Sequence, residues 1–362
     1  MTDFIIIGGG IAGLSAAARL SHLGRVTVLE RETSFGYHAS GRSAALFEET
    51  YGLPSVVALN RASRDYLATA NGGVLSPRGL LMVGTPDLAE AFDTDLAKME
   101  MSRLSVDEAL GLFPILNRHV VDRAAFHAGA WDIDTDLLLQ NFIRELRANG
   151  GEFVTRAEVT AIDRTAQGWR VTAAGKAYDG AVLVNAAGAW VDVVARMAGI
   201  EPIGFTPLRR SMARIPAPGG RDVGRWPMVF GAGETWYAKP DAGALIVSPA
   251  EEDPAEPHDA FADDMVLAEG LARYEEHVTE PVTRLLANWA GLRTFAPDRQ
   301  LVLGPDPADK AFLWAAGQGG YGFQTSPAAS KFLADLVAGR QSDLDRSVQA
   351  ALSPARFGAG PR

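Results

Sequence analysis

An α/β unit joined to a β-rich α+β unit is the fold class that the sequence predicts, on three features. The chain opens on a strand, a glycine turn, a helix and a second strand. A similar strand running into small residues recurs at 181–190. From Leu208 onward long strand-like runs alternate with Pro/Gly loops such as 216–227. The chain has 362 residues, 47% of them hydrophobic, which is enough for about two units with cores of their own.

Residues 4–7 (FIII) form a short apolar run that reads as a strand buried on both faces. Gly8, Gly10 and Gly13 follow in G-x-G-x-x-G spacing, with Ile11 and Ala12 inside the motif. In a Rossmann-like unit the first glycine permits the tight turn, the second lets the backbone approach a pyrophosphate, and the third lets the helix pack on the strand. Residues 12–23, rich in Ala and Leu, read as that helix, with its free N–H groups and positive dipole end toward the phosphates. Residues 25–29 (RVTVL) are a second buried strand, followed by Glu30 and Arg31. A carboxylate there is placed to accept hydrogen bonds from ribose hydroxyls and to repel a 2′-phosphate, which argues against NADP. A signal peptide or membrane span is a poorer reading: Asp3 is acidic and three glycines break the apolar run.

The remaining elements follow in order. Residues 31–52 read as a loop that turns helical from about Arg42, with hydroxyls and Arg42 placed to close over a pyrophosphate. A helix is expected at 54–70, one strand at 75–83, and short helices near 88–101 and 105–112. Residues 134–149 carry acids in the first turn, apolar residues at helical spacing and a Gly-Gly stop, which predicts a strong helix. Strands are expected at 152–155, 158–164 and 169–173. The 181–190 run, with Gly188 at its turn, should lie beside the first strand in the same sheet. Further strands are expected at 208–215, 235–239, 244–248, 288–295 and 312–316, and a helix at 264–276. The acidic stretch 251–264 reads as a solvated loop, and the last helix is expected after 317–327. This order predicts a discontinuous nucleotide-binding part, 1–50, 145–205 and 290–362, with a substrate-binding part at 51–144 and 206–289.

The formal net charge of −10 argues against nucleic acid and anionic membranes as partners. With no cysteine, disulfides, thiolate chemistry and a cysteinyl-linked flavin are excluded, and the six histidines show no metal-ligand spacing. The expected compartment is the cytoplasm, with no integral membrane segment.

Five segments occur in an order that resembles a known family: GGGIAGLSAA with VTVLER, GRSAA, VNAAGAW, WAGLRTFAPD and GQGGYGFQTS. The chain resembles the D-amino-acid oxidase/glycine oxidase superfamily of FAD-dependent oxidoreductases. GYHASGRSAALFEETYG, ETWYAKPDAG and AGQGGYGFQTSPA look closest to the D-arginine-dehydrogenase-like D-amino-acid dehydrogenases, which act in amino acid catabolism. The resemblance implies non-covalent FAD, although some relatives link it to a histidine in the loop that here holds His38. It implies that Gly8, Gly10 and Gly13 hold the pyrophosphate and Glu30 the ribose. Arg42, Ser43 and Ala44 would lie along pyrophosphate and flavin, and Gly188 would mark a second contact. Gly319, Gly320, Tyr321, Gly322 and Gln324 would lie under the flavin pyrimidine. Arg293 and Arg210 would bind the substrate carboxylate, with Arg209 the alternative to Arg210. Tyr237 and Tyr51 would complete the pocket.

The reaction so implied passes hydride from Cα of a D-amino acid to flavin N5, and the imino acid hydrolyses to a 2-oxo acid and ammonia. Quinone or O₂ would reoxidise the flavin. Leu80, or Leu81 in the slipped register, and Leu46 stand where arginine-selective relatives carry polar groups, so a neutral or apolar side chain is expected; Glu48 and Glu49 are nearby acids, and a Glu48 carboxylate turned into the pocket would restore a preference for basic side chains. An N-methyl amino acid or a 2-hydroxy acid needs the same carboxylate clamp, and an NAD-binding regulator is the reading from another class.

Overall fold

The computed structural model describes residues 2–358. The first apolar run becomes the strand Thr2–Ile7. It pairs in parallel with Val26–Leu29 on one edge and with Lys176–Asn185 on the other. Phe4 and Ile6 pack with Ala16, Ala17 and Leu20 of the helix Ile11–Leu20. Ile5 and Ile7 face the opposite layer with Trp169, Leu183 and Trp314. One strand thus feeds two cores, because successive side chains point to opposite faces. The eight-stranded sheet extends through Glu152–Val154 on one side and through Gly168–Ala173 and Val159–Thr165 on the other. Phe312–Ala316 runs parallel to Lys176–Asn185 and carries Val302–Pro305.

A second, nine-stranded sheet is mostly antiparallel. Across it lie Asp253–Pro254, Thr206–Pro216, Ala244–Ser248, Tyr237–Asp241, Met228–Gly231, Leu80–Gly84, Arg123–His127 and Ser102–Leu104, and Ala287–Phe295 pairs with the other edge of Thr206–Pro216. On one face Leu81, Val229, Ala238 and Val247 pack under the helices Val106–Leu112 and Asp264–Glu276. The other face carries Leu80, Met82, Phe230, Tyr237, Met212 and Ile246, and turns toward the first sheet's loops. Among the described residues no helix is long and apolar enough to cross a membrane.

Four sequence expectations need correction. The 75–83 run is two strands, Leu75–Pro77 in a small three-stranded sheet and Leu80–Gly84 in the large one. The chain turns between them at Gly79, which takes a left-handed φ of +76°, and the Arg78 guanidinium anchors the turn on Asp132 at 2.6 Å. Residues after Arg42 are not helical: a 3₁₀ turn, Ala39–Arg42, ends there and a short strand, Leu46–Phe47, follows. The last helix starts at Gly322, five residues before Pro327, and runs to Val337. A proline cannot donate to the carbonyl four residues back. Ser326 Oγ supplies that bond to the Phe323 carbonyl at 3.0 Å, so the helix continues through it. The acidic stretch is not simply solvated. The Glu251 side chain is buried and accepts from the Ser211 N–H at 2.6 Å, and Asp253–Pro254 adds a short strand to the sheet.

Candidate active site

Three cavities lie end to end between the two sheets. The first, of about 250 Å³, is lined by Gly8, Gly10, Glu30, Arg31, His38 and Gly188. The second, of about 140 Å³, shares Gly10, Arg42 and Gly188 with it and adds Ile11, Ala12, Gly319 and Gly322. The third, of about 110 Å³, shares Ser43, Ala44, Arg210, Arg293, Gly320 and Gln324 with the second, and Tyr51 and Tyr237 also line it. Gly13 and Tyr321 line none of the three. Gly13 closes the helix onto the first turn, where a Cβ would stand 1.9 Å from the Gly8 carbonyl oxygen. The Tyr321 ring packs 5.4 Å from that of Tyr51.

The glycine turn is held from three sides. Glu30 accepts from the N–H of Gly9 at 2.7 Å and of Glu32 at 2.8 Å, and its carboxylate keeps further lone pairs for the cavity it lines. Ser40 Oγ caps the helix by accepting from the Ile11 N–H at 3.0 Å. The N–H groups of Ala12 and Gly13 donate to no protein acceptor among the described residues, which leaves them at the positive end of the helix dipole for an anion. Arg31 stacks on Trp190 at the cavity edge. Arg42 lines the cavities but turns its guanidinium away, onto the carbonyls of Ala260 and Ala290 at 2.8 and 2.9 Å and onto Asp259. His38 Nε2 meets Glu32 at 2.9 Å.

Register sets the third cavity. Arg210 stands opposite Gly291 and Arg293 opposite Leu208, so the two arginines share one face of the sheet on a diagonal. Tyr237 pairs with Phe230, Met228 with Leu80, and Leu80 with His127, so these project from the same face. Arg209, one residue out of phase, points the other way and bonds Asp253 at 2.8 Å. Arg210 is 4% exposed and donates to the Glu251 carbonyl at 2.9 Å and to Glu252 at 3.4 Å. Burial, then the neighbouring Arg293 charge, pushes its pKa below the ordinary arginine value. Burial also works against the Arg293 charge, but Tyr237, Tyr51 and Glu234 around it outweigh that and raise its pKa. Among the described residues no hydrogen bond or ion pair holds the Arg293 guanidinium, and a Cβ on Gly320 would press on it at 3.1 Å. A half-buried cation facing a cavity without a protein partner calls for an anion from outside the protein.

Tyr51 donates to Glu234 at 3.0 Å, and burial followed by that carboxylate raises its pKa. Tyr237 donates to Met212 Sδ at 3.2 Å. Sequence reasoning missed Ser40, Glu234 and Lys239. Lys239 lies two residues from Tyr237 on the same face. Its ammonium holds the Ala44 and Ala45 carbonyls at 3.1 and 2.8 Å, and that parity was the available signal. Glu234 has none in the sequence: it has a left-handed φ of +56° at the cavity wall, a strain kept at functional sites.

The glycine turn, the free helix N–H groups and the long groove fit a dinucleotide, and the model of the FAD dependent oxidoreductase (DAO) family matches residues 3–336. The chain belongs to that family. This oxidoreductase is similar to bovine FAD-dependent oxidoreductase domain-containing protein 1, at 25% identity over 93% of the chain and 81% of the relative. Its fold is that of glycine oxidase from Geobacillus kaustophilus, with a TM-score of 0.83, 22% identity and 98% of each chain covered. L-proline dehydrogenase from P. horikoshii superimposes with a TM-score of 0.84 at 20% identity, covering 98% of this chain and 97% of that one. The protein is thus an FAD-dependent oxidoreductase.

Proposed function

We propose that this oxidoreductase dehydrogenates a D-amino acid at Cα, giving a 2-oxo acid and ammonia once the imino acid hydrolyses, and that it favours neutral or apolar side chains. The observation that carries this is the unpartnered Arg293 guanidinium beside Arg210, in a cavity that opens onto the dinucleotide groove. FAD, when bound, supplies the two-electron acceptor. Gly8, Gly10 and the N–H groups of Ala12 and Gly13 would hold its pyrophosphate, Glu30 its ribose, and the Gly319–Gln324 backbone its pyrimidine edge. Arg293 and Arg210 bind the substrate carboxylate bidentately in a site that excludes water. Tyr237 and Tyr51 close the pocket around it, and quinone or O₂ takes the electrons onward. In this reading 1–50, 145–205 and 290–362 form the FAD-binding part and 51–144 and 206–289 the substrate-binding part.

Chirality follows from three fixed substituents. Two arginines orient the carboxylate, the amine takes a second position and the side chain a third, so one enantiomer presents its Cα–H to the flavin. The D assignment rests on GYHASGRSAALFEETYG and ETWYAKPDAG rather than on the fold, which an L-proline dehydrogenase shares. Apolar preference is supported by Leu46, Leu80, Met228 and Phe230 lining the cavity; Glu48 also lines it, but Thr50 and His127 take three of its acceptor sites. A guanidinium sheds water there for few acceptors, at a cost of roughly 1.5–3 kcal/mol, or about 10- to 100-fold. The test is kcat/KM for D-leucine, D-methionine, D-arginine and their L-forms with an artificial electron acceptor. D-leucine and D-methionine are expected to lead. D-arginine ahead by tenfold rejects the apolar preference, and equal rates with L-forms reject the D assignment.

A further inference from the structure

Glu48 is a buried carboxylate on the wall of the substrate cavity, 2% exposed. Its Oε1 accepts from both the N–H and the hydroxyl of Thr50, at 3.1 and 2.9 Å, and its Oε2 meets His127 Nδ1 at 2.6 Å. Because the partner is a carboxylate, Nδ1 carries the proton of that bond. A carboxylate offers about four lone-pair sites. Three are filled by the protein, so one remains, on Oε2. Register shows where it lies: His127 stands directly opposite Leu80, and Leu80 opposite Met228, three strands beyond the one that carries Arg210. The cavity thus has a cationic end at the arginines and, on the wall near Leu80, a carboxylate with one acceptor site that the protein does not fill.

We propose that Glu48, held by His127, selects substrates whose side chain ends in a single neutral hydrogen-bond donor, a hydroxyl or an amide N–H. The proposal rests on the reading of the cavity as an amino-acid site and deepens it. An apolar side chain leaves the open lone pair of a buried carboxylate without a donor, which is costly. An ammonium brings three donors and a guanidinium five. Beside Leu46 and Leu80, which supply none, Glu48 offers one acceptor, and the His127 N–H already competes for the same oxygen; the other carboxylate on the wall, Glu234, accepts from Tyr51 at 3.0 Å, beside the arginines. A neutral donor fills the vacancy without asking for more.

The test compares near-isosteric pairs on the intact FAD-loaded protein: D-threonine against D-valine, D-homoserine against D-norvaline, and D-asparagine against D-leucine. The expected result is a kcat/KM ratio of about tenfold or more for the donor in the pair whose reach fits, the worth of a hydrogen bond to a charged group. In Glu48→Met the ratio should collapse toward one. In His127→Phe a second lone pair on Oε2 opens, so D-lysine should gain on D-leucine. This variant keeps the idea testable if Glu48→Met fails to fold. Ratios near one in the native enzyme, or a ratio that survives Glu48→Met, overturn the proposal while leaving the amino-acid reading intact. Flavin that no D-amino acid reduces overturns both.

Discussion

The dinucleotide groove and the substrate cavity meet at Arg293 and Gly320, yet they are built on different principles. The groove is made of backbone. Its turn, its free N–H groups and its close approaches come from glycines within ten residues of one another, and the side chains that help, Glu30 and Ser40, bond to that backbone. The cavity is made of side chains. Arg210, Tyr237, Phe230, Leu80 and Arg293 come from five strands, and only the pairing register puts them on one face. The groove therefore tolerates little added volume but little depends on any one charge. The cavity is the reverse: it accepts changes of bulk and is governed by charge.

The sharpest way to break this contrast is Arg293→Met. It should lower kcat/KM by about 2–5 kcal/mol with every carboxylate substrate, because a desolvated charge pair loses one partner. FAD content should not change. Arg210→Met should act in the same direction and by less, since the Glu251 carbonyl and Glu252 already share its charge. Steady-state kinetics on flavin-normalised protein decides it, and an unchanged kcat/KM for Arg293→Met removes the clamp.

Gly13→Ala probes the other half. One methyl placed 1.9 Å from the Gly8 carbonyl must push the helix off the turn. Overpacking of this kind costs about 1–3 kcal/mol, read as a lower Tm and weaker FAD retention. The flavin that remains should turn over substrate normally. A smaller effect is expected for Ser40→Ala, about 0.5–2 kcal/mol, the worth of a lost helix cap, again in Tm and FAD affinity. If either variant changed substrate preference instead, the division between backbone and side-chain recognition would fail.

The same contrast explains what was legible in the sequence. The opening turn is a local pattern, and its strand, helix and acid stand close to where propensity puts them. So do the helices Pro54–Thr69 and Asp264–Glu276 and the strand Phe312–Ala316. What escaped depends on distant partners. The turn after Arg78 is anchored on Asp132, the helix through Pro327 follows from a serine hydroxyl that replaces a missing donor, and the folded acidic stretch from Ser211 and Arg42. Arg209 and Arg210 are adjacent in sequence, and only the sheet shows which one faces the cavity. The Glu48–His127 pair spans 79 positions and leaves no local trace.

The most direct measurement is anaerobic addition of a panel of D-amino, L-amino, N-methyl and 2-hydroxy acids to the yellow protein, followed at the flavin absorbance. Neutral D-amino acids are expected to bleach the flavin, and the flavin to be released into solution when the protein is afterwards denatured by acid or heat. Bleaching confined to 2-hydroxy acids, N-methyl amino acids or L-forms would contradict the D-amino-acid assignment.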